Sequence, residues 1–535
     1  MGLIEPAAEW IVGLTRSQVP DDVWALALAQ RIDILASLYA GACTAAGLGA
    51  IAALDRLGED GPVLTLPDHR GRTLTAACWL YGVLANALEL DDFVFAGHTG
   101  QAAVGVTLAL GQLVDASGEE ALLAQIAANE VAGRLGAVMT AGPQHGHMKA
   151  YLHRAAAVTA AARLWRLDAP TTARALAIAL SAPEYPLFPA AFSADTKVIC
   201  TGDPIVGGVR AAALAQDGID AAADIVEHAV GLVTSLSNHP TCPPVWDRLG
   251  ATWSTQAICF KPVAACAYAA AAAVATAELA RDVDPDRITA VEVHTTVLTL
   301  TMEGFSRPHD GRITPVNTNF STRRTVAATL AAGETPRGAH FTPARFAALA
   351  PRIAALSERV SLSHHWPLTV GMLRGVDQAI DHPGRPGIYG MNEAHATMAR
   401  FAAAFGTPPA VRARDLPTLA TLPNGDGAYV ARRYAVGLRA RLPFFGGEAA
   451  RRAYVSRETD LRRMELRFGA RVKLRLGDAA REHEVVVPPG FAGDPERIAV
   501  PAQKLRTELG DTPWLALLEQ ADATPRAIVA AAPRR

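Results

Sequence analysis

Apolar residues recur three and four positions apart through the first half of the chain, which is typical of helices with a buried face. Four stretches show the pattern most clearly: VWALALAQRIDILASLYAGA (23–42), LTAACWLYGVLANALEL (74–90), EALLAQIAANEVAGRL (120–135) and AAAVTAAARLWRLDAPTTARALAIALSA (155–182). The last stretch breaks at LDAPTTAR, where Asp168 or Thr171 can cap a new helix and Pro170 fits its first turn. We therefore expect a helical hairpin there, and helices throughout residues 1–262.

The pattern changes after about residue 285. RITAVEVHTTVLTL (287–300) is rich in β-branched residues and partly alternates, which predicts a strand. MELRFGARVKLRLGDAAREHEVVVPPG (464–490) predicts strands joined by a turn near Gly477, and TRRTVAATLAAGE (322–334) predicts a helix that ends at Gly333. The second half is therefore expected to contain an α+β unit, with an insertion at about 364–455 and a helical tail.

Composition narrows the class of protein. The 535 residues carry a formal net charge of −2 and lack any basic run, so neither nucleic acid nor a membrane surface is an expected partner. The longest apolar run, Pro262–Thr276, is mostly alanine, and it is too short and too weakly apolar to span a bilayer. Six scattered cysteines and an N-terminus without signal-peptide features predict reduced thiols in the cytoplasm.

Candidate chemistry is concentrated in ANALELDDFVFAGHTG (85–100), where Glu89, Asp91 and Asp92 follow an apolar run and precede His98. One alternative is a solvated helix end, but negative charge at a helix C-terminus opposes the helix dipole. No phosphate-binding, nucleophile-elbow, zinc or iron–sulfur spacing is present, so no metal or cofactor is expected.

Lysine is rare in this chain. Only five of the 50 basic residues are lysine, namely Lys149, Lys197, Lys261, Lys473 and Lys504. Lysine is a compact cation with an adjustable pKa, so a lysine kept in an arginine-rich chain is a candidate for function. The alternative is survival by chance, which we favour for Lys473 and Lys504 because their surroundings are polar.

Four ordered segments together resemble the MmgE/PrpD family, which includes 2-methylcitrate dehydratase and cis-aconitate decarboxylase. They are ANALELDDF with GHTG, YLHRAAAVTAAARLWRLD, TKVICTGDPIVGGVRAAALAQDGI and FKPVAACAYAAAAAVATAEL, with TNFSTRRTVAATLAAG as a weaker fifth. In the family the first is an alanine-rich helix ending in D-F-D-D-T, followed by a histidine and small residues. The resemblance covers most of residues 1–360 and about 455–535.

The resemblance implies a mainly α fold. A large all-helical domain (1–265, completed by 498–535) would be accompanied by a smaller α+β lid domain (275–497) that carries the insertion. It also implies a homodimer, an active site between the domains, no cofactor, and a small di- or tricarboxylate as substrate. On this basis His98, His153, Lys197 and Lys261 line the site.

The residue types suit chemistry through an enolate-like intermediate, which needs an acid, a base and fixed positive charge. Lys197 and Lys261 supply the charge, and His98 and His153 are acid/base candidates because imidazole titrates near neutrality. Asp91 is a further candidate: like Asp92, it is suited to orienting a histidine, acting as a base or binding a lysine. For His153 the alternative is a structural role within a helix.

Four positions depart from the family pattern and are expected to shape the substrate pocket. Glu89 replaces the first aspartate, Phe93 the threonine, Cys266 a histidine of the decarboxylases, and Arg324 the tyrosine of F-S-x-x-Y. Phe93 adds an apolar wall, and Arg324 can pair with a carboxylate. Cys266 is more simply a small buried residue than a nucleophile.

The sequence therefore predicts a cofactor-independent lyase of the MmgE/PrpD type, which dehydrates or decarboxylates a small carboxylate. An isomerase or epimerase that uses the same proton transfer is one alternative. A catalytically silent homologue that binds a carboxylate is the other.

Overall fold

The computed structural model describes residues 2–95, 97–139, 149–185, 187–236, 242, 245–306, 311–380, 403, 413–423, 425–431 and 459–535. Most of the predicted insertion at about 364–455 lies outside these residues. Helices dominate the described secondary structure and the sheets are small, so the mainly α fold with a small α+β part is confirmed.

The helices of the first half of the chain are, in order, α1 (Ile4–Gly13), α2 (Asp21–Ala42), α3 (Ala45–Leu57), α4 (Leu74–Asn86), α5 (Gly100–Leu113), α6 (Gly118–Met139), α7 (Lys149–Leu164), α8 (Ala169–Ser181), α9 (Phe188–Ser193), α10 (Ile199–Gln216) and α11 (Leu232–Leu236). Those of the second half are α12 (Ala267–Ala280), α13 (Val297–Glu303), α14 (Pro315–Asn319), α15 (Thr322–Ala332), α16 (Pro343–Ser357), α17 (Trp366–Ile380), α18 (Ala499–Leu509), α19 (Trp514–Leu518) and α20 (Pro525–Ala530).

Two sheets are described. β1 (Asp60–Leu64) and β2 (Gly71–Arg72) form an antiparallel pair. The larger sheet has the order β4-β3-β5-β6, formed by β3 (Ala290–Thr295), β4 (Val360–His364), β5 (Ala470–Leu476) and β6 (Ala479–Val485). The β3–β4 pair is parallel and the other two are antiparallel, so β5 and β6 form the predicted hairpin around Gly477.

The chain divides into two compact units. The first contains 1–191, 195–260 and 498–535, and the second contains 192–194 and 261–497. Both chain ends thus belong to the helical first unit, in which α18 packs against α2. The sheet of four strands belongs to the second unit.

Small residues allow the helices of the first unit to approach closely. A Cβ on Gly41 of α2 would lie 1.9 Å from the carbonyl oxygen of Leu84 on α4. A Cβ on Gly202 of α10 would lie 2.7 Å from the Trp79 ring and 2.9 Å from Val83, both on α4. Backbones at this separation exclude water between helices, as the abundance of alanine and glycine led us to expect.

Within the described part of the chain, two stretches are long and apolar enough to cross a membrane by length and composition, Asp21–Ala42 and Asp195–Gln216. Within the fold, 89% of the apolar 18-residue window of the first stretch and 67% of that of the second are buried. Such burial fits core helices of a soluble protein, which pass the same test.

Several predicted boundaries can be compared directly with the structure. The α7–α8 hairpin is present: the Asp168 side chain accepts a hydrogen bond from the Thr171 amide at 2.8 Å, with Pro170 in the first turn. The helix over 322–334 is also confirmed, because α15 ends before Gly333 in the left-handed conformation.

Two predicted boundaries were wrong. The strand over 287–300 ends at Thr295, because the Thr296 hydroxyl accepts from the Thr299 amide and caps α13 instead. The helix over 74–90 ends at Asn86, and the residues after it form a loop that leads to α5.

Candidate functional site

The acidic cluster lies in the loop between α4 and α5, where two residues other than glycine, Glu89 and Phe95, have positive φ angles. Glu89 has φ 54°, in the left-handed region that side chains other than glycine seldom adopt. This conformation costs about 1–2 kcal/mol, and it persists only where surrounding contacts hold it. The contacts that hold Glu89 are those of a buried polar cluster.

The side chains of this loop are buried. Asp91 and Asp92 are 0% exposed, Glu89 is 2% exposed and His98 is 9% exposed. The alternative of solvated carboxylates at a helix end is therefore wrong. Buried charges of this kind need partners, and the neighbouring helices supply them.

Lys197 provides the compensating positive charge. It lies in the short helical turn Asp195–Val198 that leads into α10, and it is 2% exposed. Its ammonium is 3.1 Å from Glu89 Oε1 and donates to Asn86 Oδ1 at 2.8 Å and to the Asn86 carbonyl. Asn86 Nδ2 in turn donates to the Lys197 carbonyl and to Thr201 on α10. The end of α4 and the start of α10 are thus bonded in both directions.

His98 lies between two carboxylates. Its Nδ1 is 2.5 Å from Asp91 Oδ2, and its Nε2 is 3.7 Å from Glu89 Oε2. An ionised carboxylate accepts only, so beside Asp91 the Nδ1 atom carries the proton, and Nε2 is the nitrogen on the side of Glu89. Gln101 donates to the same Asp91 oxygen at 2.7 Å and to Asn86 Oδ1 at 3.3 Å, which links the histidine pair to the lysine group.

Asp92 lies against α2 and the start of α5. Gln30 on α2 donates to Asp92 Oδ2 at 2.8 Å. The other oxygen, Oδ1, lies 2.3 Å from where a Cβ on Gly100 would stand, and Gly100 is the first residue of α5. The positive end of the α5 dipole therefore stabilises this carboxylate, and glycine is required for its approach.

Helix α7 packs against the loop next to His98. A Cβ on Gly97 would lie 2.0 Å from the Leu152 side chain, so the two glycines of GHTG both serve close packing. His153, the next residue on α7, is fully buried. The structure thus places His153 on the helix that contacts the His98 loop.

Phe93 is also buried, and its backbone pairs with Cys259 through two hydrogen bonds of 3.0 and 2.8 Å. The segment before Cys259 is held by Glu130 on α6, whose carboxylate accepts from the amides of Ser254 and Thr255. Burial raises the pKa of Glu130, against the opposing effect of the nearby Arg134.

Three of the predicted site residues belong to the second unit. Lys261 is fully buried, and Cys266 precedes the first residue of α12 with its amide bonded to the Asn319 carbonyl. Arg324 donates to the carbonyls of Ser306 and Asn317, so these hydrogen bonds go to backbone oxygens and not to a carboxylate. Burial lowers the pKa of Arg324.

Among the described residues, Glu89, Asp91 and His98 offer three potential metal-ligand atoms that lie within 4.8 Å of one another. The Lys197 ammonium already stands 3.1 Å from one of these carboxylates. A metal ion bound to the same carboxylate would lie close to this ammonium and be repelled by it. The group therefore suits an ammonium better than a metal ion. What the arrangement offers is proton transfer at His98 Nε2 beside fixed positive charge.

The sequence pattern did not reveal several residues of the cluster. Asn86, Gln101 and Gln30 are neutral amides inside apolar helices, and their types alone carry no chemical signal. Lys504 was set aside as a chance survivor, but it is 6% exposed and bonded to Asp33, which is 0% exposed. The rarity of lysine would have identified it.

Comparison with known proteins agrees with these observations. The family model described as the MmgE/PrpD N-terminal domain matches residues 5–244, which include the loop from Glu89 to His98 and also Lys197. A search of curated proteins finds no match to the chain.

Proposed function

Because this chain belongs to the MmgE/PrpD family, we propose that it is a lyase that dehydrates or decarboxylates a small di- or tricarboxylate with its own side chains. Members of the family are generally dehydratases or other lyases, which supports an enzyme of this broad type. The proposed substrate class and reaction type rest on the chemistry of the side chains in the cluster.

One observation carries the proposal. The His98 imidazole is held by Asp91 on one nitrogen and faces Glu89 with the other, while Glu89 is paired with Lys197. A buried acid, base and cation that contact one another can transfer the proton next to a substrate carboxylate and stabilise the charge that develops. A purely structural ion pair would not require an imidazole between two carboxylates.

In the proposed dehydration, His98 Nε2 removes the proton next to a substrate carboxylate and leaves an enolate-like intermediate. Expulsion of the β-hydroxyl then forms the double bond, and the imidazolium formed at His98 returns its proton to the leaving oxygen, so that water is released and His98 is neutral again. In a decarboxylation the same intermediate forms by loss of CO2 and takes its proton from His98. Lys197 stabilises the negative charge in both cases, because its field is strong in a water-poor site.

His153, Lys261 and Asp92 are proposed to complete the site by resemblance to the family. Phe93, Cys266 and Arg324 are proposed to set its substrate preference, because they replace two hydroxyl groups and an imidazole with a ring, a thiol and a guanidinium.

The first test is a panel of di- and tricarboxylates screened for thermal stabilisation, since a ligand that binds only the folded protein raises its melting temperature. Ligands that stabilise the protein are then incubated with it in D2O and followed by proton NMR. We expect deuterium incorporation together with loss of water or CO2.

Two variants and a control make this test specific. His98→Asn is expected to lower turnover by about 10²-fold or more, since general acid–base catalysis contributes about 10²–10⁴. Lys197→Met is expected to lower it by about 10²-fold, since removing one group that stabilises developing charge costs about 10²–10³. His228→Asn changes a histidine whose side chain is 49% exposed and should leave turnover unchanged. Exchange without a released fragment would instead favour an isomerase, and no exchange with any ligand would favour the silent homologue.

A further inference from the structure

The loop that carries the acidic cluster is also bound by the C-terminal part of the chain. Lys504 on α18 donates to the carbonyl oxygen of Leu90 at 2.6 Å and to Asp33 Oδ1 on α2. Its side chain is only 4% exposed. Leu90 lies directly between Glu89 and Asp91, so this ammonium holds the peptide that joins the two proposed catalytic carboxylates.

Asp33 places that ammonium. It lies three residues after Gln30 on α2, hence on the same face of the helix. Gln30 binds Asp92 at 2.8 Å while Asp33 pairs with Lys504, so one face of α2 contacts the loop directly at Asp92 and, through Lys504, at Leu90. The two contacts fix the loop on both sides of Asp91.

A positive charge at the Leu90 carbonyl can stabilise the backbone conformation of the loop. The left-handed turn at Glu89 directly precedes Leu90, so the donor at the Leu90 carbonyl acts next to that turn. A charged donor at this carbonyl stabilises that turn, because charge-assisted hydrogen bonds are about twice as strong as neutral ones. Without it, the turn would relax and move the carboxylates of Glu89 and Asp91 relative to His98.

We propose that Lys504 is a positioning residue of the active site: through the Leu90 carbonyl it sets the distance from His98 to Asp91 and Glu89. The consequence for turnover rests on the proposed function, whereas the geometric part does not. The effect of Lys504 is assigned to the loop backbone, through its bond to the Leu90 carbonyl.

The test needs variants that stay folded. Lys504→Met alone would leave Asp33 as an uncompensated buried charge, so the double variant Asp33→Leu/Lys504→Met removes both charges together. Lys504→Arg keeps a paired cation with a different shape. Lys473→Met is the matched control, because it removes a lysine from β5 in the second unit.

The first readout is the His98 Nδ1 proton in protein labelled with ¹⁵N-histidine, identified by its loss in His98→Asn. A proton in a 2.5 Å bond to Asp91 resonates far downfield, and its shift reports that distance directly. We expect an upfield shift in the double variant, a smaller shift in Lys504→Arg, and none in Lys473→Met. This readout is independent of any substrate, so it decides the geometric claim even if the lyase proposal fails.

The second readout is kinetic. In the double variant kcat should fall about 10- to 100-fold while KM changes less than threefold, because the substrate-facing cation Lys197 is untouched. A wild-type proton shift and kcat in the folded double variant would overturn the proposal. If that variant does not fold, a wild-type proton shift in Lys504→Arg would overturn it equally.

Discussion

At the scale of single residues, Glu89 is the link between the two halves of the cluster. It pairs with Lys197 at 3.1 Å and faces His98 at 3.7 Å, and it adopts a left-handed backbone to do so. Residue type, the rarity of lysine and the family resemblance singled out Glu89, Asp91, His98 and Lys197 in the sequence, and the structure brings these four together. Their role in catalysis stays a prediction. The amides Asn86 and Gln101, which bond these groups together, could not be predicted, because any buried helix position accepts an amide that finds partners.

Gly100 provides a test at this scale. An alanine Cβ there would lie 2.3 Å from Asp92 Oδ1 and 2.8 Å from Ile34, so Gly100→Ala must displace a buried carboxylate. We expect a loss of about 1–3 kcal/mol in the free energy of unfolding, the usual cost of overpacking. Chemical denaturation followed by circular dichroism measures it.

The control is the same substitution at Gly49, an exposed position of α3 where a Cβ meets nothing within 4 Å. Gly49→Ala should stabilise the protein by about 0.5–1 kcal/mol, because alanine favours a helix interior. A Gly100→Ala variant as stable as wild type would contradict the role given to this glycine.

At the scale of elements, the close contact between α4 and α10 brings Lys197 to the loop. The helical periodicity predicted both helices, but it placed the end of α4 four residues late, at Leu90. The reason is physical: the apolar pattern continues through ALEL, and only the bonding of Asn86 to Lys197 and Thr201 ends the helix earlier. Periodicity does not register partners that come from distant segments.

Gly202→Ala tests this contact. The added Cβ would lie 2.7 Å from Trp79 and 2.9 Å from Val83, so α10 must move away from α4 and carry Lys197 with it. We expect kcat/KM to fall about tenfold or more, since small displacements of a positioned group have large effects on rate. Steady-state kinetics measures the effect. Gly13→Ala, at a position with nothing within 4 Å, should leave the rate unchanged.

At the scale of the whole molecule, the helical first unit includes residues from the C-terminal part of the chain. Residues 498–535 belong to this unit, and besides Lys504 they supply the Leu518 and Gln520 carbonyls that bind the buried Arg31. The mainly α class followed from hydrophobic periodicity, since that signal is strong over long segments. The use of both chain ends came from family resemblance alone, because periodicity carries no information about which helices pack together.

Deletion of residues 498–535 tests this arrangement. Without them, Asp33 and Arg31 lose the partners that compensate their burial, and an uncompensated buried charge costs about 3–5 kcal/mol. We expect the truncated chain to lose cooperative thermal unfolding, as followed by circular dichroism at 222 nm. Cooperative melting at the wild-type temperature would show that the first unit is complete without its C-terminal helices.

The central claim is that Glu89, Lys197 and His98 act as one group, and a double-mutant cycle on kcat/KM tests it most directly. For Glu89→Gln, Lys197→Met and their combination, we predict about a 10²-fold loss or more in each single variant. The double variant should be no slower than the slower single one, because residues that act as a unit are not additive. Losses that multiply in the double variant, or single variants close to wild-type rates, would contradict the account.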